Sequence, residues 1–197
     1  LTILFALLLH LLLAASEKGQ IRQHAALHCV FDNEEVGSGT RQGADSTFLY
    51  DTLRRIEDGC GKSQEDYYRD IAVSFLVSAD NAHALHPNHV DCADPVNRPV
   101  LNGGIVLKFN ADQKYCTDGI SAALFRQLCR KAGVPLQVFT NRSDMAGGST
   151  LGNLPGKHVA VTAVDIGLPQ LAMHSPYETA GTGDLADLQK VAALLFD

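Results

Sequence analysis

The sequence predicts an α/β fold, a three-layer sheet with helices on both faces, and two features carry that prediction. Short apolar runs of strand length alternate with longer stretches whose hydrophobic residues recur at helical spacing. Gly, Pro, Asn and Asp mark most of the boundaries between them. At 197 residues and 46% hydrophobic content, the chain can bury one sizeable core, so 1–197 is taken as one domain.

Leu1 to Ser16 is almost unbroken apolar sequence and reads as a buried helix stopped by Glu17-Lys18-Gly19. A secretory signal competes, of suitable length but without a basic leader; so does a membrane span, although about 20 residues are needed. Ala25 to Phe31 reads as a buried strand. Gly43 to Asp58 reads as a helix with Phe48, Leu49, Leu53 and Ile56 on one stripe, ended by Gly59-Cys60-Gly61. Lys62 to Asp70 is polar, a loop or short helix.

Ile71 to Val77 is a second strand candidate, followed by an irregular His-, Asn- and Pro-rich loop over 81–100. Gly104 to Phe109 is a third strand. Asp118 to Ala132 is an amphipathic helix with Asp118 at its start and Gly133 and Pro135 beyond its end. Leu136 to Thr140 is a strand, Gly147 to Gly152 a glycine-rich turn, and 158–166 a β-branched strand. Asp184 to Phe196 closes the chain as a helix.

Charge and cysteine usage narrow the function. A net charge of −6 with no Lys/Arg cluster longer than a pair argues against nucleic acid as a partner. The cysteines, Cys29, Cys60, Cys92, Cys116 and Cys129, form no C-x-x-C pair and suit reduced thiols in a cytoplasmic protein. A membrane role would require residues 1–16 to act as a signal or anchor.

The sequence centres on Phe31-Asp32-Asn33-Glu34-Glu35-Val36-Gly37-Ser38. Two glutamates at the carboxyl end of a predicted strand stand where α/β sheets keep their ligands. Adjacent residues on extended chain point to opposite sides, so one glutamate can hold a metal while the other takes a proton. Asp80 and His174 recur at other predicted element ends, and such donors suit zinc or a similar divalent ion. Singly, each has a plainer reading: an acidic turn, a helix cap, a surface histidine. The spacing of His83, His86 and His89 suggests a cluster, but Pro87 argues against a helix there, so His86 and His89 are read as structural.

The segments DNEEVGS (32–38), SADNAHALHPN (78–88), RSDMAGGSTLGN (142–153) and VDIGLPQLAMHSPYE (164–178) closely resemble the aspartyl aminopeptidase / aminopeptidase I family, more its bacterial type. The resemblance implies a dinuclear zinc exopeptidase that releases N-terminal residues from peptides and assembles as a homo-oligomer. By its match, Glu34 is the general base. Glu35 and His174 bind one zinc and Asp80 the other. His83, Lys108 and Tyr115 line the substrate pocket, beside the 147–150 turn. Two metal ligands of the family find no match: a distant N-terminal histidine, and a bridging aspartate where Thr2 stands. The dimerisation domain between them is also missing. The expectation is thus a partial catalytic domain with weakened metal binding and impaired turnover. A zinc amidohydrolase or deacylase, and a non-catalytic remnant that pairs with full-length subunits, are the alternatives.

Overall fold

A computed structural model describes residues 2–17, 24–145, 147, 148 and 150–196, apart from the side chains of 2–7 and 11. In chain order the elements are α1 (Thr2–Glu17), α2 (Phe48–Gly59), α3 (Gln64–Val73), β1 (Phe75–Ala79), β2 (Ala82–His83), β3 (Ile105–Phe109), α4 (Gly119–Ala132), β4 (Leu136–Thr140), β5 (Thr162–Gly167), β6 (Pro169–Leu171), β7 (Thr179–Ala180) and α5 (Thr182–Leu195). The main sheet has the order β1-β5-β3-β4. β1 runs parallel to β5 and β3 parallel to β4, while β3 and β5 are antiparallel.

Strand alternation explains where the core sits. Ile105 and Leu107 of β3, with Val164 and Ile166 of β5, project to one face and meet Phe125 and Cys129 of α4 and Leu188 and Val191 of α5. Outside that layer, Ala15 of α1 joins Ala192 and Phe196. The core helix α4 begins as the sequence predicts. The Asp118 carboxylate accepts from the Ser121 N–H at 2.7 Å, and the Asp118 N–H donates to Ser121 Oγ at 2.9 Å. It ends at Gly133, whose φ of 65° is left-handed.

The helix predicted from Gly43 starts only at Phe48, and three further expectations fail locally. Ala25 to Phe31 is not a strand: it has no regular structure and lines an apolar groove together with Phe75, Val77 and Leu188. An apolar run is equally compatible with a segment packed on a core without a ladder. Ile71 to Val73 is the last turn of α3, and the strand starts at Phe75. The Ser63/Asp66 capping box starts that helix, which carries through the β-branched residues. His158 to Val161 is likewise outside β5, because Pro155 opens a one-turn 3-10 helix that delays the strand to Thr162. The predicted stop at Lys18-Gly19 lies outside the described residues. The short sheet β2-β6-β7 carries too few residues for its periodicity to be read.

Candidate functional site

The site grows from the place where two neighbouring strands run on past the main sheet. The Asp80 N–H donates to the Ile166 carbonyl at 3.1 Å, Ala82 N–H to Leu168 at 2.8 Å, and Ala84 N–H to Gln170 at 2.9 Å. One parallel ladder thus continues from β1/β5 into β2/β6, with Asp80 at the seam and His83 opposite Gln170. Gly167 allows that close approach. A Cβ there would lie 2.4 Å from the Asp80 carbonyl oxygen and 2.9 Å from Lys108 Cε.

His174 sits on the loop between β6 and β7, with a left-handed φ of 64°. Its N–H donates to the Glu178 carboxylate at 2.8 Å, and the Ser175 N–H donates to the Ala172 carbonyl at 3.1 Å. These bonds hold an uncommon backbone conformation in place.

Glu34 and Glu35 are not at the end of a strand, as the sequence suggests, but on a closed turn. The Gly37 N–H donates to the Glu34 carbonyl at 3.0 Å and the Ser38 N–H to the Asn33 carbonyl at 2.9 Å. Asn33 and Ser38 both take a positive φ, 58° and 59°. The loop folds back further where the Asp45 N–H reaches the Ser38 carbonyl at 3.3 Å.

Glu34, Glu35, Asp80, His83, Lys108, Tyr115 and His174 all line one cavity of about 570 Å³. Glu35 Oε2 lies 2.9 Å from His174 Nε2. Lys108 is 3% exposed; its Nζ is 3.9 Å from Asp80 Oδ2 and 5.6 Å from the centre of the Tyr115 ring. The Tyr115 hydroxyl donates to Asn141 Oδ1 at 3.1 Å. Gly147, Gly148 and Thr150 border the same space, while Ser149 lies outside the described residues.

The electrostatics follow from this crowding. Burial, then the charges of Asp80 and Glu35, push the Glu34 carboxyl above the ordinary glutamate value, against the pull of His174 and Lys108. Burial, Lys108 and His174 hold the His83 imidazole low. Burial also lowers Lys108, opposed by Asp80, Asp165 and Glu34. Tyr115 is pushed up to about 12, chiefly by burial.

Sequence reasoning missed Asp165 and Glu178 as site supports. Asp165 is fully buried on the face opposite Val164 and Ile166, and its Oδ2 accepts from the Cys116 N–H at 2.6 Å. An aspartate inside a β-branched strand was an available signal. Glu178 acts on His174 through a loop contact that spacing does not reveal. Among the three histidines, His83 belongs to the short sheet, while His86 and His89 stand on the cavity's rim with ring centres 5.1 Å apart.

The donor set fits a small divalent cation. Glu34, Glu35, Asp80 and His174 line one cavity, and the 2.9 Å between Glu35 and His174 is close to the roughly 3.3 Å between neighbouring ligands on zinc. Asp80 does not complete a tight trio with that pair: among the described residues, three donor atoms come within 4.8 Å of one another only at His89, Asp91 and Cys92.

Comparison with known proteins fixes the class first. The family model described as "Aminopeptidase I zinc metalloprotease (M18)" matches residues 1–196, and the chain belongs to that family. A probable M18 family aminopeptidase 2 of Clostridium acetobutylicum is 51% identical over 160 residues, 81% of this chain and 37% of that protein. Among solved structures, an M18 family aminopeptidase from Thermotoga maritima aligns with a TM-score of 0.76 at 28% identity, over 85% of this chain and 39% of its own. The S. cerevisiae mApe1 dodecamer aligns with a TM-score of 0.71 at 28% identity, over 84% and 36%. The chain therefore spans about two fifths of the length of these relatives. Among the described residues no helix is long and apolar enough to cross a membrane.

Proposed function

We propose that this site is the catalytic half of a metal-dependent aminopeptidase, which removes N-terminal amino acids from peptides. The observation that carries the proposal is the convergence of Glu34, Glu35, Asp80 and His174 on one cavity, with Glu35 and His174 in direct contact. Glu35 and His174 would hold one zinc ion, and Asp80 would contribute to a second only where a bridging carboxylate is also supplied. Bound there, such an ion supplies Lewis-acid chemistry, lowering the pKa of water and offsetting negative charge at the scissile carbonyl.

The chain's own residues do the rest. Glu34 is a general base whose raised proton affinity suits it to take a proton from the attacking water and return it to the leaving amine. Lys108 is a buried amine whose Nζ lies 3.9 Å from Asp80 Oδ2, and it keeps that carboxylate oriented. Tyr115, anchored through Asn141, bounds the space a peptide would occupy. His83, disfavoured as a cation by burial and Lys108, is a neutral hydrogen-bonding partner for bound peptide.

Turnover by this span alone is proposed to be weak, with single-metal binding through Glu35 and His174, because Thr2 brings no charge where the family resemblance calls for a bridging carboxylate. Five unbridged cysteines support a cytoplasmic location, and the likeness to the mApe1 dodecamer supports self-association. The test is bound-metal content together with release of N-terminal residues from a peptide in added zinc, cobalt or manganese. Glu35→Ala and His174→Ala should each lose bound metal, whereas Glu34→Gln should keep it and lose the residual activity. Loss of metal in Glu34→Gln would reverse the two glutamates' roles, and robust turnover by the 197-residue chain would refute the impairment.

A further inference from the structure

We propose that His89, Asp91 and Cys92 form a separate metal site, for a zinc-class divalent ion, on the rim of the same cavity. One ligand atom from each residue lies within 4.8 Å of the other two. A tetrahedral zinc shell needs ligand separations of about 3.3–3.8 Å, given bonds of roughly 2.0–2.3 Å. All three residues are exposed, so rotamer adjustment can close that gap without unpacking a core.

The backbone presents the trio as a unit. The His89 N–H donates to the His86 carbonyl and the Cys92 N–H to the His89 carbonyl, each at 3.1 Å, forming the turn over Val90–Cys92. The Arg142 guanidinium donates to the Asp91 carbonyl oxygen and is itself paired with Asp144 at 2.7 Å. Just downstream, the Asp94 carboxylate accepts the Asn97 N–H at 2.7 Å and the Val96 N–H at 3.0 Å. The ligand-bearing turn is thereby tied on both sides.

Donor chemistry selects the ion. Imidazole, carboxylate and thiolate together favour zinc or cobalt; magnesium and calcium take oxygen ligands. His86 offers a fourth donor. Its Nδ1 accepts the Asn88 N–H at 3.1 Å, which leaves Nε2 uncommitted by that bond, and its ring centre is 5.1 Å from that of His89. The site differs from the Glu35/His174 pair in containing sulfur, and it stands or falls independently of the catalytic proposal.

That sulfur gives a direct readout. Titrating reduced protein with cobalt(II) alone should produce the near-ultraviolet thiolate-to-cobalt charge-transfer band, saturating at one equivalent of this site. The band should persist in a Glu35→Ala/His174→Ala double variant and vanish in Cys92→Ser, whose exposed position leaves folding unaffected. Asp91→Asn should weaken the cobalt affinity read from the band by about 10-fold or more. Absence of the band at stoichiometric cobalt, or its survival in Cys92→Ser, would overturn the site; survival would assign the sulfur to another cysteine.

Discussion

The two faces of the central sheet both bury side chains, and they are held together by different physics. On one face Ile105, Leu107, Val164 and Ile166 pack in a hydrophobic cluster with residues of α4 and α5. On the other, β3 turns Lys108 inward and β5 turns Asp165 inward, both almost fully buried. The first face is held by transfer of apolar area from water and by close packing. The second is held by hydrogen bonds and opposed charges: Asp165 with the Cys116 N–H, Thr117 Oγ1 with the Asp165 N–H at 2.9 Å, and Lys108 with Asp80. The difference teaches that burial here does two jobs: one face confers stability, and the other sets the proton affinities of a site.

The largest break in that comparison should come from Phe125, which is 1% exposed at the centre of the apolar face. Phe125→Ala should cost about 3–5 kcal/mol by lost transfer energy plus a cavity. Its signature is a lower urea midpoint with unchanged metal content per folded molecule. A change in metal content at temperatures where the variant is fully folded would mean that the faces are coupled.

Gly167→Ala should strike the polar side of the sheet, at its seam with the short sheet. Its new Cβ would press on the Asp80 carbonyl and the Lys108 side chain, so the seam between the two sheets must open. The expected cost is about 1–3 kcal/mol of overpacking. Urea midpoints check this, and an unaltered midpoint would show that the seam absorbs the methyl group without strain.

The same contrast decides what could be read from the sequence. The apolar face was legible, since β3, β4 and α4 follow from periodicity and from caps such as Asp118 and Gly133. The identities of the site residues were legible only as motif blocks in a fixed order. Their geometry was not. Glu34 and Glu35 depend on a turn with three residues at positive φ, His174 on a loop pinned by Glu178, and Asp80 on a ladder that crosses from one sheet to another. None of these has a period. Ala25 to Phe31 shows the converse error, an apolar run whose packing role needs no strand pairing.

The smallest expected effect sharpens the apolar side. Asp118 caps α4, and its carboxyl is held below its ordinary value of 3.8 first by the Ser121 backbone N–H, which outweighs the opposing effect of burial, and then by the Ser121 hydroxyl and the Ile120 N–H. Because the unfolded chain binds that proton more readily, the cap's charged contribution is complete above pH 3.8 and is lost as pH falls through the depressed folded value. Asp118→Ala should therefore cost about 1 kcal/mol near neutrality, with the gap to the parent protein shrinking in acid. Asp118→Asn, which still accepts the Ser121 N–H but carries no charge, should lose less and show little of that acid dependence. Urea midpoints of the three proteins across the acid range measure the gap. A gap that stays constant below pH 3.8 would mean that the cap acts through backbone geometry, with no contribution from its charge.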